Sequence, residues 1–215
     1  MSTMTATGLL TTIINVVAGS LIIPVLILLV IFILLVLIQI GGLLAEYSHR
    51  VKISDEELNS IINQINDSQN SEEILDIIQQ SKLNKNIKET LIKVLNTDNL
   101  KPNTKEAYVR KIIENEEYNY AQTLRKTEII TRVSSGCGLL GTLIPLGPGL
   151  ASLGTGDVAT LSTQLIIAFN TTTVGLSCSL VAYVISKIRK MWYGDDIGLI
   201  YTISEAIMEE NNAKR

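Results

Sequence analysis

The chain has 215 residues, of which 47% are hydrophobic and 18% are charged, and its mean hydropathy is +0.31. This apolar excess argues against a water-soluble globular protein, and the formal net charge of −3 argues against a surface that binds nucleic acid. Because the apolar residues are concentrated in a few segments, the composition predicts a membrane protein.

The first predicted element is a membrane helix near the N-terminus. Residues 2–45 carry no charged side chain, and residues 21–40 (LIIPVLILLVIFILLVLIQI) are almost entirely aliphatic. About 20 apolar residues span the hydrocarbon core of a bilayer. The segment is too long for a secretion signal and lacks its basic start and small-residue cleavage pattern. Residues 1–45 are therefore predicted to form an outer tail followed by a retained first span.

Residues 46–132 form the candidate extramembrane domain, and their patterns are helical. Ser54 and Glu57 (SDEE) have the spacing of a capping box, Ser71 opens a second helix, and a third is marked by Ile87, Leu91, Val94 and Leu95. After Pro102 the sequence has no Pro or Gly until Gly136. One helix is therefore expected to continue from this domain into the second span and to project well beyond the bilayer.

Two further spans are predicted in residues 133–156 and 158–186, which are free of charge and separated only by Asp157. Small residues in these spans are typical of closely packed membrane helices: Ser134, Gly138, Gly141, Gly175 and Ser179. Pro145 and Pro148 predict a kink or an early end of the second span. Residues 133–188 are thus interpreted as a membrane hairpin, and residues 189–215 as a C-terminal tail.

The predicted fold class is an all-α membrane protein with three transmembrane helices and a helical cytoplasmic domain into which the second and third helices extend. Of the 18 Lys and Arg residues, 13 lie in residues 46–132 and five follow Ser186. The positive-inside rule then places the N-terminus outside and the domain and C-terminal tail in the cytoplasm. The sequence therefore predicts a multi-pass protein of the cell (plasma or inner) membrane.

Polar side chains are unusually dense in the middle of the third span, at residues 170–173 (NTTT). Each must find a hydrogen-bond partner in the hydrocarbon region or face a hydrated space. Helix packing, with Thr hydroxyls bonding back to a carbonyl one turn earlier, is one interpretation. An ion pathway is the other, and its candidate lining residues are Thr142, Gln164, Asn170, Thr171 and Thr172.

A family resemblance favours the ion pathway. GLLGT at residues 138–142, the following turn, and FNTTTVGL at residues 169–176 resemble the last two spans of the MotA/TolQ/ExbB proton channel family. The likeness covers about residues 132–193, and the three-span plan resembles the prokaryotic ExbB/TolQ branch. Thr142 and Thr172 match the family's pore-lining threonines. Pro145 and Pro148 depart from the family pattern, as does Ile167, where some ExbB-type chains carry a glutamate.

What the resemblance implies is a homo-oligomeric ring, in this branch a pentamer, that surrounds the transmembrane helices of a smaller partner and couples ion flow to mechanical work. Within residues 133–186 the only ionisable carboxylate is Asp157, in the turn, so a proton-binding group in the membrane must come from another polypeptide. The resemblance implies a single-span ExbD/TolR-like subunit that carries it.

The alternative is a passive membrane scaffold whose cytoplasmic helices recruit a partner. Since no Ser/His/Asp, Cys/His or metal-spaced set occurs in the sequence, neither an enzyme nor a cofactor or metal site is predicted.

Overall fold

The computed structural model describes residues 2–68, 70–97 and 101–213, and every regular element in these ranges is an α-helix. In chain order the helices are α1 (Ser2–Ser20), α2 (Ile22–His49), α3 (Asp55–Asp67), α4 (Ser71–Gln80), α5 (Lys85–Leu95), α6 (Pro102–Leu153) and α7 (Val158–Ala213). Three helical stretches are long and apolar enough to cross a membrane: Thr7–His49, Thr104–Leu153 and Val158–Glu209. The all-α fold with three membrane-spanning helices is confirmed.

The N-terminal segment is more helical than expected, since α1 precedes the first predicted span. The two helices are interrupted at Leu21, three residues before Pro24. Proline has no N–H to donate to the carbonyl of Ser20, and its ring crowds that carbonyl. A fresh helix therefore begins at Ile22, with Pro24 in its first turn, where a missing donor is tolerated.

The chain divides into two compact units, to both of which α2, α6 and α7 contribute residues. The membrane unit comprises Met1–Leu43 and Lys126–Ser186, and the second unit comprises Leu44–Arg125 and Lys187–Arg215. In the membrane unit the buried apolar cluster combines one stripe of α2 with α6 and α7: Val25, Leu29, Phe32, Val36, Ile130, Cys137, Cys178 and Ala182. Most other aliphatic side chains of α2, such as Ile23, Ile27 and Ile38, are exposed and suit contact with lipid.

The second unit has its own apolar core, in which α3, α4 and α5 pack with residues of α6 and α7. Its fully buried side chains include Ile65, Ile74, Ile78, Leu91 and Ile203. The predicted capping box is confirmed, because the Glu57 N–H donates to the Ser54 hydroxyl and the Ser54 N–H donates to the Glu57 carboxylate. α6 starts at Pro102 and continues without a break into the second span, and this continuity is what the sequence predicts.

Candidate functional site

The centre of the membrane unit is a close crossing of α6 and α7 at Gly138 and Gly175. A Cβ atom added to Gly175 would lie 2.6 Å from the Gly138 Cα and 2.7 Å from the Ser134 carbonyl oxygen. Backbone atoms cannot yield to such a contact, so position 175 requires glycine, whereas a Cβ atom on Gly138 would make a tight contact of 3.2 Å with the Gly175 Cα. Small residues permit close approach in membrane helices, where lipid gives no hydrophobic drive for association.

Thr171 fits against Gly141 at the same crossing. A Cβ atom on Gly141 would lie 2.5 Å from both the Cβ and the Oγ1 of Thr171. The Thr171 side chain is buried, and its hydroxyl donates to the carbonyls of Ile167 (3.0 Å) and Ala168 (2.9 Å) on its own helix. Thr171 thus fills the notch left by Gly141, with its polar atom satisfied locally.

Two hydroxyl groups of α7 donate across the crossing to backbone carbonyls of α6. The Thr172 hydroxyl lies 3.1 Å from the Gly138 carbonyl oxygen, and the Ser179 hydroxyl lies 2.8 Å from that of Thr131. Seven residues separate the donors on α7, and seven separate the acceptors on α6. The two bonds therefore fix one antiparallel register of the helices.

Ser134 occupies the same seam but has no such partner. Its side chain is fully buried, and neither its hydroxyl nor that of Thr127 makes a hydrogen bond within the described part of the chain. A buried hydroxyl without a partner destabilises its surroundings. At Ser134 the small side chain allows the close contact with Gly175, which accounts for a small residue at this position.

The exposed face of α7 is polar in its middle. Asn170 and Thr173 are both exposed, beside the exposed Phe169. The Thr173 hydroxyl donates to the Phe169 carbonyl at 2.8 Å. The side-chain amide of Asn170 has two N–H donors and an acceptor oxygen, which one backbone carbonyl cannot satisfy together. Of the predicted pathway residues, Asn170 is thus the one that is exposed.

The other two predicted pathway residues, Thr142 and Gln164, are half-buried on α6 and α7. The Thr142 hydroxyl donates to the Leu139 carbonyl at 2.6 Å. Gln164 lies beside Gly149, since a Cβ atom on that glycine would approach the Gln164 Cβ to 3.2 Å. The structure therefore distributes the predicted pathway residues over different faces, and their role in ion passage stays a prediction.

The helix α6 continues through both of its internal prolines. It ends at Leu153, beyond Pro145 and Pro148, so the expected early end of the second span does not occur. Each proline removes one backbone donor, leaving the carbonyls of Gly141 and Ile144 without their usual helical partner. A bend at these positions remains a prediction.

A short turn joins α6 to α7. Gly156 has a φ of +77°, the left-handed conformation that glycine adopts readily. Asp157 caps α7, because its carboxylate accepts the Thr160 N–H at 3.0 Å and the Thr160 hydroxyl. These hydrogen bonds hold the pKa of Asp157 below its usual range.

Among the described residues, no group of three or more His, Cys, Asp or Glu side chains is placed to hold a metal ion.

These features define a class: a helical, multi-pass membrane protein with a tightly packed polar helix pair. Residues 55–196, more than half of the chain, match the model of the MotA/TolQ/ExbB proton channel family. The chain belongs to this family. Among curated proteins, none matches the sequence.

Proposed function

We propose that this protein is the channel-forming subunit of an ion-driven, energy-transducing complex of the ExbB/TolQ type. Several copies, five by family resemblance, form a ring around the transmembrane helices of a single-span ExbD/TolR-like partner. The ring lies in the cell membrane with the N-terminus outside and the second unit in the cytoplasm. Ion flow between ring and partner then drives mechanical work.

The observation that carries this proposal is the exposed amide of Asn170 in the middle of a membrane span. An unsatisfied amide in hydrocarbon costs several kcal/mol, so lipid is a poor neighbour for this face of α7. A second polypeptide or a hydrated conduit satisfies it. The exposed Thr173 one turn away extends the same polar face.

The absence of titratable groups supports a two-component pathway. Residues 158–186 of α7 and residues 133–153 of α6 contain no Asp, Glu, His, Lys or Arg. A hydroxyl or amide relays a proton but does not store one at neutral pH, whereas a membrane carboxylate does. The proposed partner therefore supplies the carboxylate, and the polar face of α7 supplies its surroundings.

A passive scaffold remains the second candidate, and one observation favours it. The hydroxyls of Thr142, Thr171, Thr172 and Thr173 all donate to backbone carbonyls of α6 or α7. Threonines that only pack have this arrangement. The two candidates differ in whether the assembled complex conducts ions.

Reconstitution in liposomes separates the two functions. The chain is purified alone and together with the products of its neighbouring genes, and proton entry is followed with an internal pH dye under an imposed membrane potential. The complex should conduct protons, while the chain alone should be nearly tight. Strong flux through the chain alone would contradict the two-component proposal, and a tight complex that holds the partner would favour the scaffold.

A further inference from the structure

In the second unit, the end of α2 is fastened to α7 through Arg50. Its guanidinium donates to both carboxylate oxygens of Asp196, at 2.7 and 3.2 Å, and to the Trp192 carbonyl at 2.8 Å. It also lies 5.3 Å from the centre of the Trp192 ring. The two charged side chains are only 17% and 7% exposed. A paired, stacked guanidinium of this kind holds a single geometry.

A second ion pair lies two turns away. Arg189 of α7 donates through Nε to the Glu46 carboxylate at 2.9 Å, and the Arg189 side chain is 5% exposed. The Tyr193 hydroxyl donates to the other oxygen of Glu46 at 3.4 Å. The Tyr193 ring stacks on Tyr120 of α6, with ring centres 4.3 Å apart. Glu46, Arg50, Arg189, Trp192, Tyr193 and Asp196 are hereafter the α2–α7 clamp.

The order of charges in the clamp admits only one direction of packing. Along the chain the acid comes first at the end of α2 (Glu46, then Arg50 just after the helix), and the base comes first in α7 (Arg189 before Asp196). Parallel packing therefore brings opposite charges together twice. Antiparallel packing would place Glu46 near Asp196 and Arg50 near Arg189, and like charges at such sites repel. Charge pairs that specify register are the best-attested use of buried ion pairs.

Both helices run without interruption between the clamp and the membrane unit. α2 includes Val36 of the membrane core as well as Glu46, and α7 includes Thr172 and Asn170 as well as Asp196. An α-helix transmits rotation about its axis because its backbone hydrogen bonds link every turn. Because α7 is one continuous helix, a constraint on its rotation at the clamp also constrains the direction in which its polar face points.

We propose that the clamp residues are positioning residues, which fix the rotation and register of α2 on α7 and thereby hold the polar face of α7 in the orientation that ion coupling requires. The coupling part of this inference rests on the proposed function. The inference about register does not rest on the proposed function. The fluorescence of Trp192 reports the register directly, because Trp192 is the only tryptophan in the chain.

The test exchanges the charges of the Glu46–Arg189 pair, in the full chain and in its complex with the partner. Glu46→Arg places two guanidinium groups together, and Glu46→Arg with Arg189→Glu restores an attractive pair in reverse order. Three quantities are measured: acrylamide quenching of Trp192, the oligomer mass by native mass spectrometry, and partner-dependent proton flux. Glu114→Gln, which removes an exposed pair with Lys111, is the matched control.

We expect the single variant to keep its oligomer mass, to show stronger Trp192 quenching and to lose about tenfold in flux, and the double variant to recover both properties. The control should change neither. Unchanged flux in a Glu46→Arg complex with a quenched Trp192 would overturn the positioning role. Failure of the double variant to restore Trp192 protection would overturn the register role.

Where Glu46→Arg does not fold, Tyr193→Phe provides the same test with a smaller change. It removes only the hydroxyl that donates to Glu46 and keeps the ring that stacks on Tyr120. A reduced flux with a normal melting temperature supports positioning, and an unchanged flux overturns it.

A wild-type complex without flux contradicts the proposed function, and the Trp192 readout then decides the register alone.

Discussion

Gly138 and Gly175 bring the backbones of α6 and α7 into direct contact, so that a single added methyl group at Gly175 would lie 2.6 Å from the Gly138 Cα. This contact places the Thr172 hydroxyl against the Gly138 carbonyl. The glycine pair and the interhelical hydrogen bond are therefore one unit of structure, and each depends on the other.

Replacement of Gly175 by Ala should destabilise the membrane unit. The new Cβ meets backbone atoms that have no alternative position, and overpacking of this kind costs about 1–3 kcal/mol. The melting temperature in mild detergent should fall, and the folded oligomer should be recovered in lower yield. Gly136→Ala is the control on the same helix, since no atom lies within 4 Å of its added Cβ. An equal effect of both variants would contradict the crossing.

Thr172→Val separates the packing and conduction roles of the hydroxyl. The variant keeps the shape but removes the interhelical donor to the Gly138 carbonyl, and such interhelical bonds contribute about 0.6–2 kcal/mol. We expect a modest loss of thermal stability and a loss of ion flux in the reconstituted complex.

Two companion variants make that result interpretable. Thr172→Ser retains the hydroxyl and should retain flux. Thr173→Val removes a hydroxyl of the proposed polar face that bonds within α7, so it should lower flux without a loss of thermal stability. If Thr172→Val conducts as well as the wild type, Thr172 only packs, and Asn170 becomes the residue to test.

The orientation predicted from Lys and Arg can be measured with single cysteines. Cys137 and Cys178 are buried and unpaired, so both are first replaced by Ala. A cysteine at Thr155, exposed in the α6–α7 turn, should react with a membrane-impermeant maleimide in intact cells. A cysteine at the exposed Asn86 of α5 should react only after lysis. The opposite pattern would reverse the proposed topology.

Asp157→Ala should lower the melting temperature in a pH-dependent manner. The cap favours the ionised carboxylate, so the folded protein holds the pKa of Asp157 below its unfolded value. Its contribution is then fully present above the unfolded pKa and is lost as the pH falls through the lowered folded pKa. The difference between wild type and variant should shrink in acid. Asp157→Asn keeps an acceptor for the Thr160 N–H and should show a weaker pH dependence.

The sequence was most informative where local rules decide the structure. The capping box at Ser54, the apolar period of α4 and α5, and the length of the charge-free segments all depend on residues a few positions apart. α6 begins at Pro102, one or two residues before the caps that the sequence suggests at Asn103 or Thr104. These features agree with the structure within a few residues.

Long-range pairing was not predictable in the same way. Arg50 and Asp196 are 146 positions apart in the sequence, and Thr172 and Gly138 are 34 apart. No local sequence pattern predicts either contact. Trp192 and Tyr193 indicate only an interfacial position by their residue type, whereas the structure packs them against Arg50 and Tyr120. The break at Leu21 was foreseeable from Pro24, whose consequence for Ser20 is a local rule.

The narrow buried stripe of α2 has a consequence for how this helix evolves. Val25, Leu29, Phe32 and Val36 carry the protein contacts of its apolar part, while neighbours such as Ile23, Ile27, Leu34 and Ile38 are open. On a lipid-facing surface Leu, Ile and Val are nearly equivalent, so mutation among them is close to neutral. Relatives should therefore share the spacing of this stripe rather than the identity of its residues.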